Sequence, residues 1–252
     1  ATTSVLLPLV PLDMSPSSFD DQYRGCVPAM TAALPALNRS EFQNNPLFAQ
    51  AWQRAAAAWR ARGSPVSPLS PSQAIAIMAY TMDDTKLYRE FNAAVRAAGS
   101  SRREYLQNFQ FKTLHFLLTR ALGTLRDAQR GPRCHRVFRG VAGLRFEAPL
   151  GARVRLGHFA SASLSQPSAG AFGVAVTFQV WTCHGAAIRE FSFFPHEDEV
   201  LIPPHEAFRV TRVTNVTGTG DNGTRIELRS AGSFSQYNCE WLRGDSDSWG
   251  QW

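Results

Sequence analysis

The chain has 252 residues, 44% hydrophobic and 18% charged, with a net charge of +6. That balance is globular, not disordered, and the length suits one large domain or two lobes sharing a core. No apolar run approaches the roughly 20 residues of a membrane span, and the arginines are scattered, not interleaved with aromatics in runs, which argues against nucleic acid as a partner.

Read in chain order, Ser4 to Leu12 is apolar but short and broken by Pro8 and Pro11. The start shows neither an initiator Met nor a signal peptide, and the polar end carries no anchor-attachment signal, so the chain is expected to be processed or trimmed. Residues 13 to 130 read as helical. Phe42 to Arg62 is Ala-rich, with Trp52 and Trp59 on one face, and is expected as a single helix. Gly63 to Pro71 holds three prolines and reads as a loop. In Thr85 to Ala98, Leu87, Phe91, Ala94, Val95 and Ala98 have helical spacing, and Gly99 supplies a stop. Phe111, Leu114, Leu118, Ala121, Leu122 and Leu125 form another such face.

After Gly131-Pro132 the pattern changes to short β-type runs: Val137-Phe138, Arg153 to Leu156, Val174 to Cys183, Ile188 to Phe194, Val200 to Ile202, Phe208 to Val216 and Thr224 to Leu228. Helices first and strands second indicate α+β architecture. No G-x-G-x-x-G follows a strand, so a Rossmann-type dinucleotide site is not supported.

Four cysteines, Cys26, Cys134, Cys183 and Cys239, accompany three sequons at Asn38, Asn215 and Asn222. An even cysteine count with sequons reads as a secretory-pathway protein with disulfides and glycans. The pairs Cys134-His135 and Cys183-His184 offer zinc as a competing reading. Adjacent side chains on a strand point to opposite faces, so one such pair chelates a single ion poorly.

Three short patterns carry chemistry. Glu197-Asp198-Glu199 precedes an apolar strand, and if extended it sets the carboxylates of Glu197 and Glu199 on one face. Two convergent carboxylates divide labour, one steadying a cationic sugar and one moving a proton. Arg139 ends a β-run before Gly140, where a guanidinium can grip a diphosphate and the glycine admits a ligand to the backbone. Phe159-Ala160-Ser161-Ala162-Ser163 puts two hydroxyls on one strand face. Each pattern is common when taken alone.

In this order, Arg, then aromatic-x-Ser-x-Ser, then Glu-x-Glu, they resemble the motif set of the arginine-specific ADP-ribosyltransferases. The likeness extends to Leu12-Asp13-Met14, Ser18 to Tyr23, Gly25-Cys26, Ala79-Tyr80-Thr81, Glu90 to Arg96, Phe111 to Thr119, Cys134 to Gly140, Trp181-Thr182-Cys183 and Tyr237-Asn238-Cys239. It covers nearly the whole chain and is most similar to the secreted vertebrate members, though a trimmed anchored member fits as well.

The resemblance implies one domain over 1–252, a helical lobe (13–130) on a two-sheet β core (131–243), with NAD in the cleft between. It implies disulfides Cys26–Cys239 and Cys134–Cys183, worth about 5 and about 4 kcal/mol by chain entropy. It implies transfer of ADP-ribose from NAD to arginine side chains of extracellular proteins, without a metal, by a monomer that is secreted or displayed on the outer face of the plasma membrane. Arg139 would hold an NAD phosphate, with Gly140 near the nicotinamide amide. Ser161 would support Glu199 and the nicotinamide ribose, with Ser163 nearby. Glu199 would bind the ribose 2′-hydroxyl, and Glu197 would take the target guanidinium. Phe172 is the expected nicotinamide stacker, with Phe178 as second choice. NAD glycohydrolase and an idle secreted binding protein are the alternatives.

Overall fold

The computed structural model describes residues 7–63, 67–165, 175–217 and 222–244. A short strand, β1 (Leu9–Pro11), leads into an irregular segment. Six helices follow: α1 (Val27–Asn44), α2 (Pro46–Ala61), α3 (Pro71–Thr81), α4 (Leu87–Ala98), α5 (Arg102–Asn108) and α6 (Lys112–Ala128). Helix therefore begins at Val27, and residues 13–25 run across the lobe without it.

The single helix expected over 42–62 is two. Asn45 precedes Pro46, and a residue before proline is pushed out of the helical region; its φ is −136° and ψ 83°. Asn45 then caps α2 by accepting the Phe48 N–H at 3.1 Å. Ser70 and Gln73 cap α3 reciprocally, at 3.3 and 2.9 Å. Gly99 ends α4 as expected, and only glycine fits there, because a Cβ would lie 2.1 Å from the Ser18 carbonyl oxygen.

The second half supplies β2 (His135–Val141), β3 (Arg145–Glu147), β4 (Arg153–Arg155), β5 (Ala160–Ser163), β6 (Val176–Thr182), β7 (Ala186–Ala187), β8 (Glu199–Ile202), β9 (Glu206–Thr217) and β10 (Asn222–Ser233). β1 pairs with β3. The other strands run β4-β9-β10-β6-β2-β5-β8-β7. β2 and β5 meet at one register pair, Phe138 with Ser163. The sheet is thus a five-strand ladder and a three-strand ladder joined at a crossing, the two-sheet core expected. Ile188 to Phe194 is not a strand: the N–H groups of Phe191 and Ser192 both turn back to the Ile188 carbonyl, at 2.9 and 2.8 Å.

The three-strand ladder is the middle layer. Ala160, Ala162, Val200 and Ile202 pack with Val137, Phe178, Val180 and Ile226 of the five-strand ladder. Phe159, Ala186 and Leu201 pack with the helical core. Period-two alternation makes that division. Phe91 stacks on Phe159 at 5.4 Å between ring centres, locking lobe to ladder.

Both expected disulfides form, Cys26–Cys239 and Cys134–Cys183, which spends in one bond the two sulfurs of the zinc reading. The first draws the C-terminal segment onto residues 13–25. Beneath it lies a buried ion pair, Arg155 with Asp20, both side chains fully enclosed. The Arg155 guanidinium also donates to the carbonyls of Met14 (2.7 Å), Ser15 (3.1 Å) and Phe234 (3.0 Å). Asp20 accepts the N–H groups of Gln236 and Tyr237 at 2.9 and 3.1 Å. Removing one partner of such a pair strands the other charge in the interior. Asp20→Ala is expected to lower unfolding free energy by about 3–5 kcal/mol, and Arg60→Ala, on the exposed side of α2, by under about 0.5 kcal/mol. Urea titration of the oxidised protein checks this; equal losses would sink it.

Candidate active site

β5 and β8 run antiparallel with Ser163 opposite Glu199 and Ser161 opposite Leu201. Leu201 and Phe159 face the helices, so alternation puts Ser161, Ser163 and Glu199 on that same face. Glu199 is buried. The Ser192 hydroxyl donates to its Oε2 at 3.3 Å. Burial raises the Glu199 carboxyl above its ordinary range and repulsion from Glu197 adds to this, while the Ser161 and Ser192 hydroxyls and Arg139 pull it down.

Arg139 comes from β2, on the far side of the crossing, and its Nη1 donates to the Ser161 carbonyl at 2.7 Å. No carboxylate pairs with Arg139 within ion-pair distance among the described residues. Burial lowers its affinity for its proton, and Tyr80, Tyr88 and Glu199 oppose that. Arg96 of α4 sits close enough that Arg139 lowers its pKa as well, after burial. His158 completes the group. Its Nδ1 donates to the Leu156 carbonyl at 2.7 Å, and burial together with Arg139 and Arg96 lowers it to about 3, so it stays neutral at physiological pH. A half-buried and an exposed cation, with no carboxylate in ion-pair distance of either among the described residues, suit a diphosphate.

The helical lobe fixes this frame. Asn92 of α4 holds the Phe159 backbone at both groups, donating to its carbonyl at 3.0 Å and accepting its N–H at 3.2 Å. Tyr80 of α3 donates to the same carbonyl at 2.8 Å and accepts from Asn92 at 3.1 Å. Thr81 accepts the Phe193 N–H at 2.8 Å and steadies the turn before β8.

Glu197 lies in that turn, closed by its own N–H to the Phe194 carbonyl at 3.1 Å, and it is exposed. The extended segment that would align it with Glu199 is therefore not formed, because Pro195 and a tight turn precede β8. Proximity to Glu199 survives, as the mutual repulsion records. Gly140 follows Arg139 on β2, opposite Thr177. Phe172 lies outside the described residues. Phe178 points into the β core, 5.2 Å from the Phe146 ring, so it is no stacker. Asn215 is exposed on β9, Asn38 is half-buried on α1, and Asn222 opens β10.

A family model described as NAD:arginine ADP-ribosyltransferase matches residues 12–236. The chain belongs to the NAD:arginine ADP-ribosyltransferase family. It is 51% identical to the human GPI-linked NAD(P)(+)--arginine ADP-ribosyltransferase 1, over 93% of this chain and 75% of that one. It is also 51% identical to the chicken erythroblast NAD(P)(+)--arginine ADP-ribosyltransferase, over 93% of this chain and 77% of the relative. Among solved structures it is similar to a mutant of the eucaryotic mono-ADP-ribosyltransferase ART2.2 in complex with NADH, with TM-score 0.75, 33% identity and coverage of 92% and 98% of the two chains. In this family member, Asn92, Tyr80, Ser192, Arg96 and His158 join the motif residues at the cleft. The legible sign for Asn92 is a polar side chain on the apolar stripe of α4, between Phe91 and Val95.

Because the folded Glu199 carboxyl titrates above its unfolded value, the fold disfavours its charged form. That cost is absent below the ordinary glutamate range and complete above the raised pKa. Glu199→Gln is therefore expected to melt higher than the parent at neutral pH and level with it in acid. Thermal unfolding at both pH values checks this, and a variant less stable at neutral pH would show the charge to be favoured by its site.

Proposed function

We propose that this chain transfers ADP-ribose from NAD to arginine side chains of proteins outside the cytosol, releasing nicotinamide. The observation that carries the reading is Glu199, buried on the cleft face opposite Ser163, with Ser192 against its carboxylate and Arg139 across the strand crossing. The sequence and structural relatives, named for NAD(P)-arginine ADP-ribosyltransfer and for an NADH complex, support it.

In this reading Arg139 holds an NAD phosphate, and Gly140 leaves its backbone open beside the nicotinamide amide. Glu199 bonds the 2′-hydroxyl of the nicotinamide ribose. Its negative charge stabilises the positive charge that develops as the ribose–nicotinamide bond breaks and the bonding pair leaves with nicotinamide. Ser161 and Ser192 keep that carboxylate aimed, and Ser163 borders the ribose. Glu197 receives the target guanidinium. The new bond joins a guanidinium nitrogen to the ribose anomeric carbon, and Glu197 takes the proton that nitrogen loses. A protonated arginine is a poor nucleophile until a base lies against it. An exposed turn is a fitting position, because the acceptor is a side chain on another folded protein. Two disulfides and an exposed sequon at Asn215 support a secreted or surface-displayed protein.

Glu199→Gln is expected to fold yet lose both transfer and NAD cleavage. Glu197→Gln should lose transfer to agmatine by about 10²-fold or more while cleavage continues, since water needs no guanidinium clamp. The ratio of agmatine adduct to free ADP-ribose, at matched NAD, reads the difference. An unchanged ratio in Glu197→Gln would remove the main support for arginine as acceptor, and NAD cleavage by Glu199→Gln would assign the charge stabilisation to another residue.

A further inference from the structure

The outer face of the five-strand ladder carries an aligned row of charge. Arg153 is in register with Arg209, Arg209 with Arg229, Arg229 with Trp181 and Trp181 with Arg136. All five are exposed, Trp181 to 41%. Strands lie about 4.8 Å apart, so the row crosses the ladder over about 19 Å. The next row contributes one carboxylate, Glu227, opposite Arg212 and Gln179.

Like charges directly opposite on neighbouring strands repel. Among the described residues, none of the row's four arginines has an acid within ion-pair distance. Arg209 leans on the Gly151 carbonyl at 2.8 Å, and Arg136 on the Gln179 side chain at 3.4 Å. A groove of about 240 Å³ opens between Arg136, Trp181, Thr211, Glu227 and Arg229. On β2, Arg136 and Arg139 differ by an odd number of residues and point to opposite faces, so the row is separate from the cleft. The Asn215 sequon pairs with Thr224 on the alternation of core residue Ile226, so a glycan there leaves the row uncovered.

We propose that this row docks a sulfated glycosaminoglycan chain. A linear polyanion supplies the missing counter-charge along the row's length. Sulfate and carboxylate oxygens match the guanidinium fork, and the Trp181 ring offers a flat face for a sugar. Two disulfides put the protein in an oxidising compartment, where sulfated glycans, not nucleic acids, are the long polyanions met. The signal is invisible along the sequence, because the five residues are up to 93 positions apart (229 − 136 = 93) and only strand register brings them into line.

The test titrates the oxidised protein with a heparin-derived dodecasaccharide at physiological salt. The row variant Arg136→Gln/Arg209→Gln/Arg229→Gln is compared with a control of equal charge, Arg60→Gln/Arg103→Gln/Arg130→Gln, on and beside the helical lobe. The row variant is expected to bind at least about tenfold more weakly and the control within about twofold, with a matching difference in salt dependence. Footprinting of the unmutated protein with an arginine-selective dicarbonyl is the companion measurement, and the glycan should shield Arg136, Arg209 and Arg229. The proposal is overturned by equal weakening of both variants, by absence of binding at physiological salt, by undiminished binding of a desulfated chain, or by a single-stranded DNA of equal charge competing as well as the glycan.

Discussion

The double hydrogen bond between Asn92 and the backbone of Phe159 is the constraint on which the cleft depends. It joins α4 to the entry of β5, and β5 carries both serines and pairs with the strand of Glu199. Asn92 is itself buried, and its amide oxygen and nitrogen are both used there. An alanine at that position leaves two backbone groups and the Tyr80 hydroxyl short of a partner, in a region where unmet polar groups cost about 1–3 kcal/mol each. The stacked rings of Phe91 and Phe159 fill the space beside it. One helix thus delivers a hydrogen-bonded anchor and an apolar one from adjacent residues, and the cleft inherits its geometry from that seam.

Charge in the cleft is arranged against its own comfort. Glu199 is raised by burial and Arg139 lowered by it, so each charged form is held where the bare fold disfavours it. Neither neutralises the other through a direct ion pair. Sites that need such groups charged, yet available to a ligand, take this form and trade some stability for it. The Asp20–Arg155 pair is the contrast. It is more fully enclosed and closed upon itself, with every guanidinium nitrogen hydrogen-bonded. That pair ties the two ends of the chain together and offers nothing to a ligand.

Much of this was legible in the amino-acid order. Periodicity marked α4, its stop at Gly99 and α6, because those faces meet one continuous core and need period 3.6. The β half was legible as short runs between breakers, yet Ile188 to Phe194 misled. Its apolar residues serve a turn in which Phe191 is buried against Trp59, 5.8 Å away, so burial and not pairing explains them. Phe42 to Arg62 misled in the other direction, where Asn45-Pro46 outweighed an unbroken apolar stripe. The motif residues could be named but not assembled. Arg139 and Ser161 are 22 positions apart and meet only because β2 and β5 cross at one pair. Ser192 acts through its hydroxyl on the Glu199 carboxylate and His158 through a backbone carbonyl and burial, which no spacing rule records.

The two glutamates show why the local fold, not the motif, assigns chemistry. As letters, Glu197 and Glu199 are equivalent carboxylates two positions apart. In the fold Glu199 enters a strand and is buried beneath the helical lobe, while Glu197 remains on an exposed turn held by Arg189, which reaches the Pro195 carbonyl at 3.1 Å and Asp198 at 3.0 Å. A buried carboxylate stabilises developing charge strongly because little water screens it. An exposed one meets a large incoming partner without burying that partner's backbone. Separate environments for two like groups are the physical basis for separate roles. In the proposed mechanism, the division between breaking the glycosidic bond and choosing the acceptor follows from where the turn that Pro195 opens gives way to β8.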